Sequence, residues 1–255
     1  MYRIGKVLNH NAVLAVNGED GKQYLLMGKG IGFGKKVSER VEPGEDSRIY
    51  TLQACEERGN ADEIVKTIDP EFLEISNLVL DEAEKVFGHI DRNILFPLAD
   101  HLYYAVERIK KHEQISNPLT EDIRILFHME YKAASCVVPV LKQKFGITIG
   151  DDEVGYIALH VHSAIDDDKV SDAMKTARAV RECIEIVENA MGKRIDVMTL
   201  SYNRLMNHVR YMIVRALSGE KLKMSLNDYM SVKYPEEFAM AEKICEQIGR
   251  TIGCT

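Results

Sequence analysis

The sequence predicts a multidomain chain: a small antiparallel all-β N-terminal domain over residues 1–56, then two all-α helical-bundle modules over 62–168 and 169–255, the second lacking its last helix. Three observations carry this. Short β-branched runs alternate with turn compositions up to Cys55, the texture changes to helical periodicity beyond it, and the helical half repeats itself.

The strands come first. Ile4 to Leu8, Ala12 to Val16 and Gln23 to Met27 are apolar runs separated by Asn9-His10-Asn11 and Asn17-Gly18-Glu19-Asp20-Gly21, both turn compositions. A Gly-rich stretch from Gly28 to Lys36 follows, and Arg48 to Leu52 reads as a last strand after the loop around Pro43-Gly44. Some 55 residues of sheet bury only a thin core, so a dimer is expected.

In the next segment Phe72, Ile75, Leu78-Val79, Ala83 and Val86 recur at helical spacing. Asp69-Pro70 opens this helix and Gly88 closes it. Further helices are expected at 93–111, 121–145, 151–165, 169–191, 199–218 and 235–249, with Asp166-Asp167-Asp168 as a polar junction. The block Leu98-Ala99-Asp100-His101-Leu102 corresponds to Leu205-Met206-Asn207-His208-Val209, and Phe145-Gly146…Thr148-Ile149-Gly150 to Ile248-Gly249…Thr251-Ile252-Gly253. Two matched blocks in the same order make a duplicated module. The counterpart of the helix carrying His160 would begin past Thr255, so the second module is expected to be incomplete.

Charge is unevenly placed. The chain carries a net −7, but residues 1–55 carry +2 and the remainder −9. The front is therefore the part suited to a polyanion. No apolar run approaches a membrane span and no signal-peptide pattern opens the chain, so a cytoplasmic location is expected. The five cysteines are scattered without a CxxC pair, which argues for reduced thiols over a disulfide framework or zinc site. No GxxxxGK[ST], no nucleophile elbow and no Ser-His-Asp ordering is present, so an enzyme is not expected, nor a cofactor or metal.

Two constellations carry chemistry. In Gly28-Lys29-Gly30-Ile31-Gly32-Phe33-Gly34-Lys35-Lys36, glycines let a backbone approach a ligand, lysines neutralise phosphates, and Phe33 can stack on an unpaired base. Asn9 and Asn11 add amides suited to base edges. Taken alone, the loop is weak evidence, since a tight hairpin with a solvated basic end is the lesser alternative on spacing. The second constellation is histidine. His101 sits on an apolar helix beside Asp100, where a satisfied core residue is the ordinary account, but His208 holds the same place in the repeat. A near-neutral imidazole can carry a phosphoryl group on nitrogen, and the added charge can reset helix packing. His160 and His162 offer a further candidate pair, although their i, i+2 spacing aims them apart and disfavours shared zinc. His10, His89, His112 and His128 have no repeat counterpart and read as surface or core.

Lys6-Val7-Leu8-Asn9-His10-Asn11 together with Gly28 to Lys36 resembles the co-antiterminator RNA-binding domain of bacterial sugar-operon transcriptional antiterminators (BglG/SacY type), with wording closest to the glucose-operon type. The Asp100-His101 and Gly155…His160 blocks resemble their phosphotransferase-system (PTS) regulation domains. The resemblance implies a small β-sheet dimer that binds an mRNA leader hairpin and prevents formation of an overlapping terminator. It implies an RNA surface of Lys6, Asn9, Asn11, Gly28, Lys29, Gly30, Phe33 and Lys35. It implies phosphorylation of His101, His160 and His208 by the phosphocarrier HPr and the PTS sugar permease, which act as partners of a homodimer. His10 stands where many relatives have asparagine and Lys29 where many have arginine, and lysine keeps the charge without bidentate geometry. The family's fourth histidine falls on the helix missing from the second module.

Two other classes fit parts of the pattern. A DNA-binding transcription factor under the same helical control would need a helix-turn-helix, which the strand-like front disfavours. A phosphoryl carrier would be expected to hold a single histidine block, against the duplication found here.

Overall fold

The computed structural model describes residues 1–52, 60–166, 169–196, 199–220 and 225–253. Cys55, Cys254 and the Asp167-Asp168 part of the polar junction lie outside the described residues. The chain forms two compact units, one of residues 1–116 and 129–168, the other of 117–128 and 169–255.

The first unit opens with strands β1 (Tyr2–Asn9), β2 (Ala12–Asn17), β3 (Gln23–Met27), β4 (Arg40–Val41) and β5 (Arg48–Thr51) in the order β4-β1-β2-β3-β5. All neighbouring pairs are antiparallel. The short β4 was not expected; two residues give no period to read. Central β2 is buried from Ala12 to Ala15, because both faces of the sheet are covered. Ile4, Val13, Ala15, Leu26 and Val41 make one small core, against which Val7, Tyr24 and Ile31 pack.

The opposite face, with Leu14, Leu25, Met27 and Tyr50, belongs to one core with the helices of the first module. The thin core expected of the isolated sheet is thus thickened within the chain itself, and the Tyr50 ring meets Phe96 edge-on at 6.1 Å. The helices of this core are α1 (Ala61–Thr67), α2 (Pro70–Phe87), a 3-10 turn (Arg92–Ile94), α3 (Leu95–Lys110), α5 (His128–Ala134), α6 (Val137–Phe145) and α7 (Asp151–Asp166). For α2 the expected signals act as read: Asp69 caps Glu71 N, Pro70 opens the first turn, and Gly88 closes the helix at φ 78°.

The single helix expected over 121–145 is three. Helix α4 (Thr120–Leu126) belongs to the second unit while α5 and α6 belong largely to the first. Pro139 has no N–H and its ring crowds the carbonyl four residues back, so α5 stops before Ser135, whose hydroxyl donates to Tyr131 O at 2.7 Å.

The second unit holds α4, α8 (Val170–Met191), α9 (Leu200–Ser218), α10 (Asn227–Lys233) and α11 (Pro235–Ile252). Its core joins Val180, Cys183 and Ile184 of α8 to Tyr202, Met206, Val209 and Ile213 of α9 and Ile244 and Ile248 of α11. Helix α10, not expected from the sequence, buries none of its residues. Cys136, Cys183 and Cys245 are free thiols. Among the described residues no helix is long and apolar enough to cross a membrane.

Candidate RNA-binding surface and histidine cluster

The turn between β1 and β2 and the Gly-rich loop are stitched together. Asn9 Oδ1 accepts from Asn11 N at 2.8 Å, which shapes the turn. Gly28 N donates to Asn11 O and Gly32 N to His10 O, each at 2.9 Å, and Gly30 N donates to Asn11 Oδ1 at 2.9 Å. The loop can lie so close only because Gly32 has no side chain: a Cβ there would stand 2.2 Å from Asn9 O. Gly30, at φ 71°, supplies the left-handed bend.

This stitching leaves the loop's lysine and phenylalanine side chains outside. Phe33 is 69% exposed, and the His10 ring meets it edge-on at 5.3 Å. Lys29 and Lys35 project from the same loop, exposed, and Lys6 is exposed on β1 three residues before Asn9. The structure therefore brings Asn9, Asn11, Gly28, Gly30 and Phe33 into one hydrogen-bonded platform bearing Lys29 and Lys35, with Lys6 along its strand. Asn11 is partly committed, since its carbonyl oxygen holds the loop.

Sequence reading missed what faces this platform from α2. Glu74 Oε1 accepts from Asn9 Nδ2 at 2.7 Å and from Asn11 Nδ2 at 3.4 Å. Farther along the same helix, Asn77 Oδ1 accepts from Tyr50 Oη at 2.6 Å, and Glu84 pairs with Arg48 at 2.8 Å. Arg92 gathers Asp81 at 2.7 Å, Glu84 at 2.8 Å and Asn77 at 2.8 Å. The spacing Glu74, Asn77, Asp81, Glu84 is one helix stripe and was visible in the sequence, where it reads as an ordinary solvent face.

The histidine cluster lies between α3 and α7. His101 Nε2 stands 3.1 Å from Glu153 Oε2, off the line of a hydrogen bond, and Arg108 donates to Glu153 Oε1 at 2.9 Å. The His160 ring centre is 5.3 Å from that of His101. Burial opposes ionisation of Glu153, but His101 and Arg108 outweigh it and hold the carboxyl below its usual range. Burial, aided by His101, pushes His160 down to about 3, and its Nδ1 is sealed without a partner although part of the residue reaches the surface. His160 is therefore a neutral imidazole at neutral pH, the nucleophilic form. Beside the cluster, burial lifts the Asp100 carboxyl, countered by His101.

His162 turns elsewhere, to Glu130 on α5 at 3.1 Å, both buried. This is the divergence expected of i, i+2 residues on a helix. His208 is exposed on α9 of the second unit. Glu153 and Arg108 were also missed: within Asp151-Asp152-Glu153 the carboxylate reads as a helix N-terminal acid.

Known proteins match this architecture. The CAT RNA binding domain matches residues 2–58 and the PRD domain matches twice, over 60–164 and 181–255. Protein GlcT of Staphylococcus epidermidis is 29% identical, covering 98% of this chain and 89% of the relative. The glcA/glcB genes antiterminator of Staphylococcus carnosus is 28% identical over 97% of this chain and 88% of its own length. The crystal structure of GlcT CAT-PRDI superposes with a TM-score of 0.56 at 30% identity, covering 65% of this chain and 98% of that one. The Staphylococcus carnosus relative is an antiterminator by name, and the two helical matches account for the internal repeat. A sheet bearing the glycine-lysine loop, followed by a twice-matched helical module, makes this chain a member of the family of transcription antiterminators built from a CAT RNA binding domain and PRD domains.

Proposed function

We propose that the chain binds a leader hairpin in nascent mRNA through Lys6, Asn9, Asn11, Gly28, Lys29, Gly30, Phe33 and Lys35, so that an overlapping terminator does not form. One observation carries the reading: Phe33 stands 69% exposed on a glycine loop that also presents Lys29 and Lys35, within the segment that matches an RNA-binding domain. An apolar ring held in water beside two cations serves no core. It offers a stacking face to an unpaired base while the lysines meet phosphates. The chain acts as a homodimer and as a regulator, without turnover of a substrate.

Control comes through the helical modules. HPr and the PTS sugar permease donate phosphoryl groups to His101, His160 and His208. Support comes from the pairing of His101 with Glu153, the neutral state imposed on His160, and the exposure of His208 on the matching module. The described front end, residues 1–52, is built of strands and holds no helix, which disfavours the DNA-binding alternative.

The test is in vitro transcription through a terminator preceded by the leader of the Staphylococcus carnosus glcA gene. Added full-length chain should raise read-through, and incubation with HPr and its phosphoryl source should change that level and place phosphate on histidine. No change in read-through on any leader of this type defeats the proposal.

A further inference from the structure

The residues proposed to read RNA are held by the first helical module. One carboxylate oxygen, Glu74 Oε1, receives the side-chain amides of both Asn9 and Asn11. A carboxylate only accepts hydrogen bonds, so the NH2 ends of both asparagines must face it. Those NH2 groups are the donors that would meet acceptors on base edges. Asn11 has no spare end, because its carbonyl oxygen already holds Gly30 N. Beside this contact opens a cleft of about 580 Å³, whose charged walls are Lys29 of the loop, Arg48, and the acids Glu45, Asp46, Glu74 and Asp81.

We propose, on the basis of the RNA-binding reading above, that Glu74 is a latch: docked on Asn9 and Asn11 it competes with RNA for their amides, and binding requires α2 to let them go. The latch is one end of a continuous stripe. Asn77, Asp81 and Glu84 follow Glu74 on α2 and grip Tyr50, Arg48 and Arg92. Arg92 belongs to the turn that runs directly into α3, the helix of His101, and α2 packs along α3. A change in the seating of α3 therefore reaches Glu74 through contacts already present. The two occupants exclude each other: RNA cannot sit on the amides while a fixed carboxylate holds them, and the carboxylate loses its two donors when RNA takes them.

The experiment uses the full chain and hairpins transcribed from the Staphylococcus carnosus glcA and glcB leaders, with affinity read by fluorescence anisotropy at fixed salt. Glu74→Ala should bind about tenfold more tightly than wild type, the effect of removing one charge-assisted competitor. Glu74→Asp keeps the charge but falls short of the asparagines, and should gain severalfold. Asp46→Asn removes a charge from the same cleft without touching them, and should stay within about twofold. Equal affinity of wild type and Glu74→Ala overturns the latch. So does an equal gain in Asp46→Asn, or no gain in Glu74→Asp, since either reduces the effect to general charge removal. If wild type and Glu74→Ala both ignore the hairpins while keeping wild-type circular dichroism, the RNA reading itself falls and the latch with it.

Discussion

His101 and Glu153 face each other across the seam between α3 and α7, with Nε2 and Oε2 3.1 Å apart and Arg108 on the carboxylate's other oxygen. The acid does two things at once. It sets a carboxylate beside the inward-facing Nε2 of His101, and it gives Arg108 a buried counter-charge.

Replacement Glu153→Gln should therefore cost stability with a defined pH dependence. The carboxyl is held below its ordinary value of 4.5, so the folded state binds its proton less readily than the unfolded state. The stabilisation is fully present above that value and fades as pH falls through the lower folded one. Wild type should exceed the variant by about 1–3 kcal/mol at pH 7, the range for hydrogen bonds to charged groups and the loss of a partner. Urea unfolding at pH 7 and pH 3.5 checks this: the gap should narrow at the lower pH.

His160 runs with the opposite cause. Burial lowers it from 6.5 to about 3, so between those values the unfolded chain binds a proton that the folded chain refuses. Stability must fall as pH drops through that window. In His160→Gln this contribution is gone, and the difference in urea midpoint between pH 7 and pH 5 should be smaller than in wild type.

The close approach of loop to turn makes Gly32 the least replaceable glycine of the platform. An alanine Cβ would lie 2.2 Å from Asn9 O and 3.1 Å from Val13 Cγ1, so the backbone must move. Gly32→Ala should destabilise by about 1–3 kcal/mol, as overpacking does, and weaken hairpin binding beyond that loss by displacing Phe33. Thermal unfolding and anisotropy on the same preparation separate the two effects.

Much of this was legible in the sequence because local chemistry and global fold agree there. Alternating apolar runs gave β1 to β3, and Asp69, Pro70 and Gly88 delimited α2. The glycine-lysine loop stood out because Phe33 is a lone aromatic among glycines and lysines, and the structure leaves it 69% exposed. What escaped was tertiary. Helix α1 has seven residues and β4 two, too few for a period to emerge. The break of 121–145 into α4, α5 and α6 depends partly on the chain passing from one unit to the other, which no window of sequence records. Glu74 and Glu153 look like any acids on an amphipathic helix until the partners brought by folding, Asn9 and His101, stand beside them.

The proposed RNA recognition rests on Phe33 as a stacking face for an unpaired base, and one comparison reaches it directly. Affinity of the full chain for the glcA leader hairpin should fall about 5- to 100-fold in Phe33→Ala, the range for loss of one base–aromatic stack. Its urea midpoint should stay at the wild-type value, since a side chain 69% exposed supports little of the core. Unchanged affinity in Phe33→Ala, with wild type bound and folded, would contradict the account.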